Sequence, residues 1–184
     1  MEIINRVKNI LIDPKTEWTA IDGENTPHAK LFTTYVLPLA AIPAIAAFVG
    51  FGLIKGSMGL GIAQAITQFI VLAGGVYVTA FIINLLAESF GAKKNLDKAF
   101  SLMAYAYTPM FIGGIIYILP SLSILASLVG LYGIYLLYIG LQPLMKSPED
   151  KTIVYFLISL LAMIVVYSVL LFVVGIVTLI SALI

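Results

Sequence analysis

Residues 99–145 read AFSLMAYAYTPMFIGGIIYILPSLSILASLVGLYGIYLLYIGLQPLM, 47 positions without one Asp, Glu, Lys or Arg. A helix crosses the roughly 30 Å hydrocarbon core of a bilayer with about 20 apolar residues. The stretch is too long for one crossing and long enough for two. Pro120-Ser121-Leu122-Ser123 divides it, since Pro and Ser favour turns and Pro breaks the helical hydrogen-bond ladder. The expected spans are about 99–119 and 124–145.

Three further stretches also lack these charges: 31–54, 56–87 and 152–184, of 24, 32 and 33 residues. They predict spans at about 31–54, 60–90 and 153–183. The fold class is therefore all-α: a polytopic integral membrane protein with a five-helix transmembrane domain over 31–184, preceded by a polar and amphipathic segment over 1–30. Composition agrees. The chain is 61% hydrophobic and 10% charged, whereas soluble domains carry about 45–50% and about 25%. Only lipid absorbs that excess, because helices facing it can be apolar all round. A net charge of +1 excludes a bulk nucleic-acid binder. The absence of Cys excludes disulfides and thiol chemistry. Acidic groups and a short apolar run, Ile10-Leu11-Ile12, replace a secretory leader, so span one is expected to serve as an uncleaved insertion signal.

Charge tests the count. Five spans put Arg6, Lys8, Lys15, Lys30, Lys93, Lys94, Lys98, Lys146 and Lys151 on the N-terminal side and Lys55 alone on the other, nine against one. A single crossing by 99–145 would make it seven against three. The positive-inside bias favours five spans with the N-terminus cytoplasmic. All nine acidic residues share that side. The expected location is the inner membrane of a prokaryote.

Ile3, Ile4, Val7, Ile10 and Leu11 recur at helical spacing, and Asp13-Pro14 ends the pattern. This amphipathic helix has two readings: it lies on lipid with basic groups toward the head groups, or it packs on the bundle as a lid. Trp18, the only Trp, suits the membrane interface. Residues 22–28 read as a loop, with His28 a solvated residue. One His without Cys makes no metal site, and no metal or cofactor is expected.

Ionisable groups deep in a span mark proton or ion coupling, and the mid-span positions here hold none. Asn84 and Glu88, four apart at the cytoplasmic end of span two, are candidates for a vestibule or for interfacial pairing with a lysine. Gln64 and Gln68 share a face near the other end, either bridging helices or lining a cavity. Tyr105 and Tyr107 precede Pro109 in span three, where proline frees a carbonyl for a hydroxyl. Tyr132, Tyr135 and Tyr138 make a stripe on span four. Packing with satisfied hydroxyls is the first reading of these tyrosines, and a ligand groove between spans three and four the second.

Ala104-Tyr105-Ala106-Tyr107-Thr108-Pro109, the Pro120 turn, Leu131-Tyr132-Gly133-Ile134-Tyr135 and Ile139-Gly140-Leu141, together with the early Asp13-Pro14 and Trp18, resemble the Yip family of Rab-interacting membrane proteins in its short prokaryotic form. The resemblance covers nearly the whole chain. It implies five spans after a cytoplasmic N-terminus and a role in membrane organisation or traffic. Eukaryotic members work with Rab-class GTPases and carry a cytoplasmic Asp-Leu-Tyr-Gly-Pro motif, which this chain lacks. The expected function is a non-enzymatic scaffold or adaptor, with a small channel, transporter or transporter subunit as the alternative. Expected partners are the lipid bilayer, a membrane or cytoplasmic protein, and further copies of the chain, without nucleic acid. An intramembrane enzyme is disfavoured, because the spans offer hydroxyls but no His, Asp or Cys to activate them.

Overall fold

The computed structural model describes residues 3–183, and the side chains of 3–126 and 128–176. Glu2 and Ile184 lie outside the described residues. Helix dominates, and no strand occurs among the described residues. Five helices are long and apolar enough to cross a membrane: span one His28–Ile54, span two Met58–Phe90, span three Leu96–Ile118, span four Pro120–Met145, and span five Glu149–Ile176, whose helix continues to Leu183. Two short helices precede them, α1 (Ile3–Ile12) and α2 (Pro14–Asp22).

The long uncharged stretch divides at its turn residues. Leu119 is extended, Pro120–Leu122 forms a single 3₁₀ turn, and α-helix resumes at Ser123. The five-span count has a geometric consequence: the loops after spans two and four must share one end. They do, since the Lys93 N–H donates to the Met145 carbonyl at 2.7 Å. At the opposite end, Gly50 of span one lies against the Tyr117 and Ile118 carbonyls of span three.

Spans one, three and five begin a few residues earlier than their charge-free stretches, at His28, Leu96 and Glu149. Charge marks the edge of the membrane, whereas a helix can start in water when its first turn is capped. Asn95 does this for span three, accepting the Lys98 N–H at 3.1 Å. Glu149 and Asp150 stand in the first turn of span five, where negative charge complements the helix dipole.

Span three is the axis of the bundle. Of its apolar window 78% is buried, against 17% for span five. It packs on spans one, two and four, while span two also carries span five. Small residues permit this closeness, as expected where lipid supplies no hydrophobic drive between helices. A Cβ at Gly133 would lie 2.6 Å from the Ala106 carbonyl, and one at Gly114 would collide with Pro43.

The prolines of span one predict a kink or an unwound turn. The chain instead widens into π-helix at Phe32–Val36, just before Pro38, and again at Phe48–Ile54. Proline's ring clashes with a carbonyl one turn earlier, and a π-turn opens the ladder to accommodate it. Thr33 and Thr34 hydroxyls donate to the Lys30 carbonyl at 3.0 and 2.8 Å beside the first widening.

The N-terminal segment folds back as a lid. Asp13-Pro14 does end α1, yet Pro14 also opens a second helix, because proline is tolerated at a first helical position. The α2 face of Pro14, Glu17, Trp18 and Ile21 is buried and rests against span four. Gly140 makes room for it: a Cβ there would come within 2.6 Å of the Trp18 indole. In α1, Arg6 and Ile10 are buried while Ile4 and Ile12 stay exposed. The helix packs on the bundle through Arg6 and Ile10. Arg6 turns inward rather than toward head groups.

Candidate functional site

The lid, the start of span one, and the loops after spans two and four assemble one polar site at the charged end. Its centre is Arg6. The guanidinium forms ion pairs with Glu17 and Glu24 and lies over the Tyr105 ring, 5.3 Å from its centroid. Asn9 Nδ2 donates to the second Glu17 oxygen at 3.1 Å. The Arg6 and Glu17 side chains are only 5% and 6% exposed. Burial opposes the Arg6 charge, but the Glu24 hydrogen bond and the neighbouring negative charges outweigh it and hold its pKa above the ordinary arginine value. A buried pair of this kind is retained only if its donors are satisfied.

Two further contacts hold the lid. Lys98, in the first turn of span three, donates through Nζ to the carbonyls of Ile21, Asp22 and Glu24 at 3.2, 2.5 and 2.7 Å. These carbonyls end α2, where a cation complements the dipole. Lys146, in left-handed conformation at the end of span four, pairs with Asp22 at 2.6 Å. His28 differs from its expected place as a solvated loop residue. Its backbone N–H and its Nδ1 both contact Asp97 Oδ1 at 2.7 Å, and its ring packs edge-on near Tyr77 and against Phe100. Asp97 thus clips the start of span one to span three.

Between α1 and span one lies a cavity of about 200 Å³, lined by Arg6, Glu24, Thr26, Lys30, Tyr35 and Tyr105, among others. Tyr105 forms its aromatic floor, meeting Tyr35 at 4.8 Å and Trp18 at 6.2 Å between centroids. Span three breaks at Tyr107, between helical segments Leu96–Ala106 and Thr108–Gly113, and the hydroxyl that reaches the break is that of Tyr35, which hydrogen-bonds Thr108 Oγ1 at 2.7 Å. Tyr107 is buried against Gly75, and Pro109 is buried beside it in the break.

The remaining predicted positions separate. Asn84 is buried, with an unpartnered Oδ1, whereas Glu88 is exposed and 4.0 Å from Lys94. Between them the helix tightens to 3₁₀ at Ala87, and the contact with Lys94 is the interfacial lysine pairing expected of Glu88. Tyr132 donates to the Leu11 carbonyl at 3.0 Å, while Tyr135 and Tyr138 face outward. A cavity of about 220 Å³ opens between spans three and four, further from the charged end, bounded by Gln68, Met110, Tyr117, Gly130, Met163 and Tyr167 from four spans, and none of Tyr132, Tyr135 and Tyr138 lines it. Gln64 is half-buried and lines no part of it.

No group of His, Asp and Glu able to hold a metal occurs among the described residues. What the charged end offers is ion pairing, hydrogen bonding and basic side chains near the membrane rim. A match to the Yip1 domain extends over residues 8–171. This chain belongs to the Yip1-domain family. Membership fits an all-α, multi-pass protein of the membrane. Two curated relatives are the inner membrane protein YohC of Escherichia coli K12 and its counterpart in E. coli O6:H1 strain CFT073. Each is 30% identical over 162 residues, covering 80% of this chain and 83% of the relative. No solved structure matches significantly.

The sequence reading missed the Arg6–Glu17–Glu24 cluster. A signal was present: Pro14, Glu17, Trp18 and Ile21 fall at i, i+3, i+4 and i+7, a helical stripe with a carboxylate inside it.

Proposed function

We propose that this Yip1-domain protein is a non-enzymatic membrane adaptor that works through its lid. The carrying observation is the buried Arg6 cluster, where both short helices and the segment at Glu24 meet the start of span three and build a defined polar surface at the charged end. A surface needed merely to stop a helix in water would not require a buried arginine with two carboxylates. The lysine bias argues that this end faces the cytoplasm. The exposed Lys8 and Lys15 on the lid are available to a partner protein or to anionic lipid. The name of the Escherichia coli relative assigns it to the inner membrane, and the same membrane is the inferred home of this chain.

The test is photo-crosslinking in native membranes from single positions on the lid, Lys8 and Thr19, and from Lys55 at the bare end. The adaptor reading expects one defined protein adduct from the lid and none from Lys55. Adducts to bulk lipid and to the chain itself from all three positions would reject it. A second reading, a small channel or transporter subunit for a neutral solute, rests on the cavity around Gln68, Tyr117 and Tyr167. Reconstituted vesicles that pass no neutral solute under any gradient would eliminate that reading.

A further inference from the structure

A second cavity at the charged end, of about 270 Å³, sits outside the Arg6 cluster. It lies between α2 and the adjoining ends of spans four and five, lined by Lys15, Trp18, Tyr138, Gln142, Pro143 and Thr152, with Ile139. No carboxylate lines it. Lys15 supplies an ammonium, Gln142 an amide and Tyr138 a phenol. All three are exposed, so they can reorient toward a ligand. Thr152 donates elsewhere, to the Pro148 carbonyl at 2.8 Å.

Trp18 is the unexplained member. It is 1% exposed, yet its indole Nε1–H has no partner. A buried donor without an acceptor is costly and rare. Gly140 holds the indole in place: a side chain there would meet Cε2, the carbon bonded to Nε1. The sequence therefore keeps a residue small in order to seat an indole whose donor goes unused by the protein. A donor set of one cation, one amide and one phenol, without a competing anion, matches a phosphate oxyanion, and the idle N–H belongs to a residue that lines the same cavity. Tyr138 is 44% exposed on span four and stacks edge-on with Phe156 at 5.2 Å, which places an aromatic wall beside the opening. Such a rim is where lipid phosphates lie.

We infer that this cavity binds a phosphate group at the membrane rim, that of an anionic phospholipid in the first place. The inference is independent of the adaptor reading, since a transporter subunit could hold the same group. Trp18 is the only tryptophan, so tryptophan fluorescence reports this site and the seating of α2, and the Lys15 and Gln142 variants separate the two. The full chain in uncharged detergent is titrated with dioctanoyl phosphatidylglycerol, with dioctanoylglycerol and with inorganic phosphate. The expected result is a saturable Trp18 response to the phospholipid and none to dioctanoylglycerol. Lys15→Ala should raise the half-saturating concentration by about fivefold, and Gln142→Ala by about threefold. Both side chains are exposed, so neither change threatens folding. A response to inorganic phosphate with the same sensitivity to Lys15→Ala upholds the phosphate site and assigns it a soluble ligand. No saturable response to either phosphate, or responses unaltered in both variants, would overturn the inference.

Discussion

At the charged end, Arg6 is buried between Glu17 and Glu24, Lys98 gathers three carbonyls, and His28 and Asp97 join spans one and three. At the bare end, span one meets its neighbours through Gly50 and Gly52, which press on the span-three carbonyls and on Gly61. One end is closed by charge and directional hydrogen bonds, the other by backbone contact through glycine. Close packing suffices to assemble helices in lipid. Buried ionic clusters do not improve stability over apolar packing, so a protein that keeps one uses it for geometry. The contrast is what motivates the adaptor proposal: close packing alone joins the bare end, and directional bonds fix the shape of the charged end.

The sharpest way to break this contrast is Glu17→Ala. It removes the more buried of the two carboxylates that hold Arg6 and leaves Glu24, whose side chain is 37% exposed, as the ion-pair partner. Removing the whole partner of a buried charge costs about 3–5 kcal/mol, and the surviving Glu24 pair keeps the loss below that. The expected outcome is a lower unfolding midpoint in detergent together with red-shifted Trp18 emission, as the lid lifts. The double change Arg6→Met with Glu17→Leu should recover most of the midpoint. Next in size is Gly114→Val, whose side chain meets Pro43 and should cost about 1–3 kcal/mol by overpacking. Here the midpoint falls while Trp18 emission in the folded state is unchanged, because the strain lies away from the lid. The smallest effect belongs to Lys146→Ala. Its bond to Asp22 joins side chains 53% and 29% exposed, and such pairs contribute about 0.2–1 kcal/mol. Its midpoint change should disappear in high salt.

The spans were legible because each crossing needs a long charge-free run, and five such runs remained once Pro120 divided the third stretch. The side preference of the lysines followed from the same reading. The lid was only half legible. Asp13-Pro14 signals a stop, and the same proline signals a start at the next helix. Which signal prevails depends on the apolar surface waiting on span four, and sequence does not display that. His28 read as solvated because its partner, Asp97, lies 69 positions away and meets it only in the folded bundle. The different burial of Asn84 and Glu88 was not legible from their four-residue spacing, since a 3₁₀ turn begins at Ala87 between them. The cavity around Gln68 gathers residues from four spans, and a periodicity within one helix cannot report it.

The adaptor surface and the phosphate site both require a docked lid. Collisional quenching of Trp18 by aqueous iodide, with the protein in lipid nanodiscs, measures that directly. Trp18 is 1% exposed beneath α2, so the wild-type chain should resist quenching and Glu17→Ala should yield to it. Free quenching of the wild type, equal to that of the variant, would show an undocked lid and remove the Arg6 cluster and the phosphate site together.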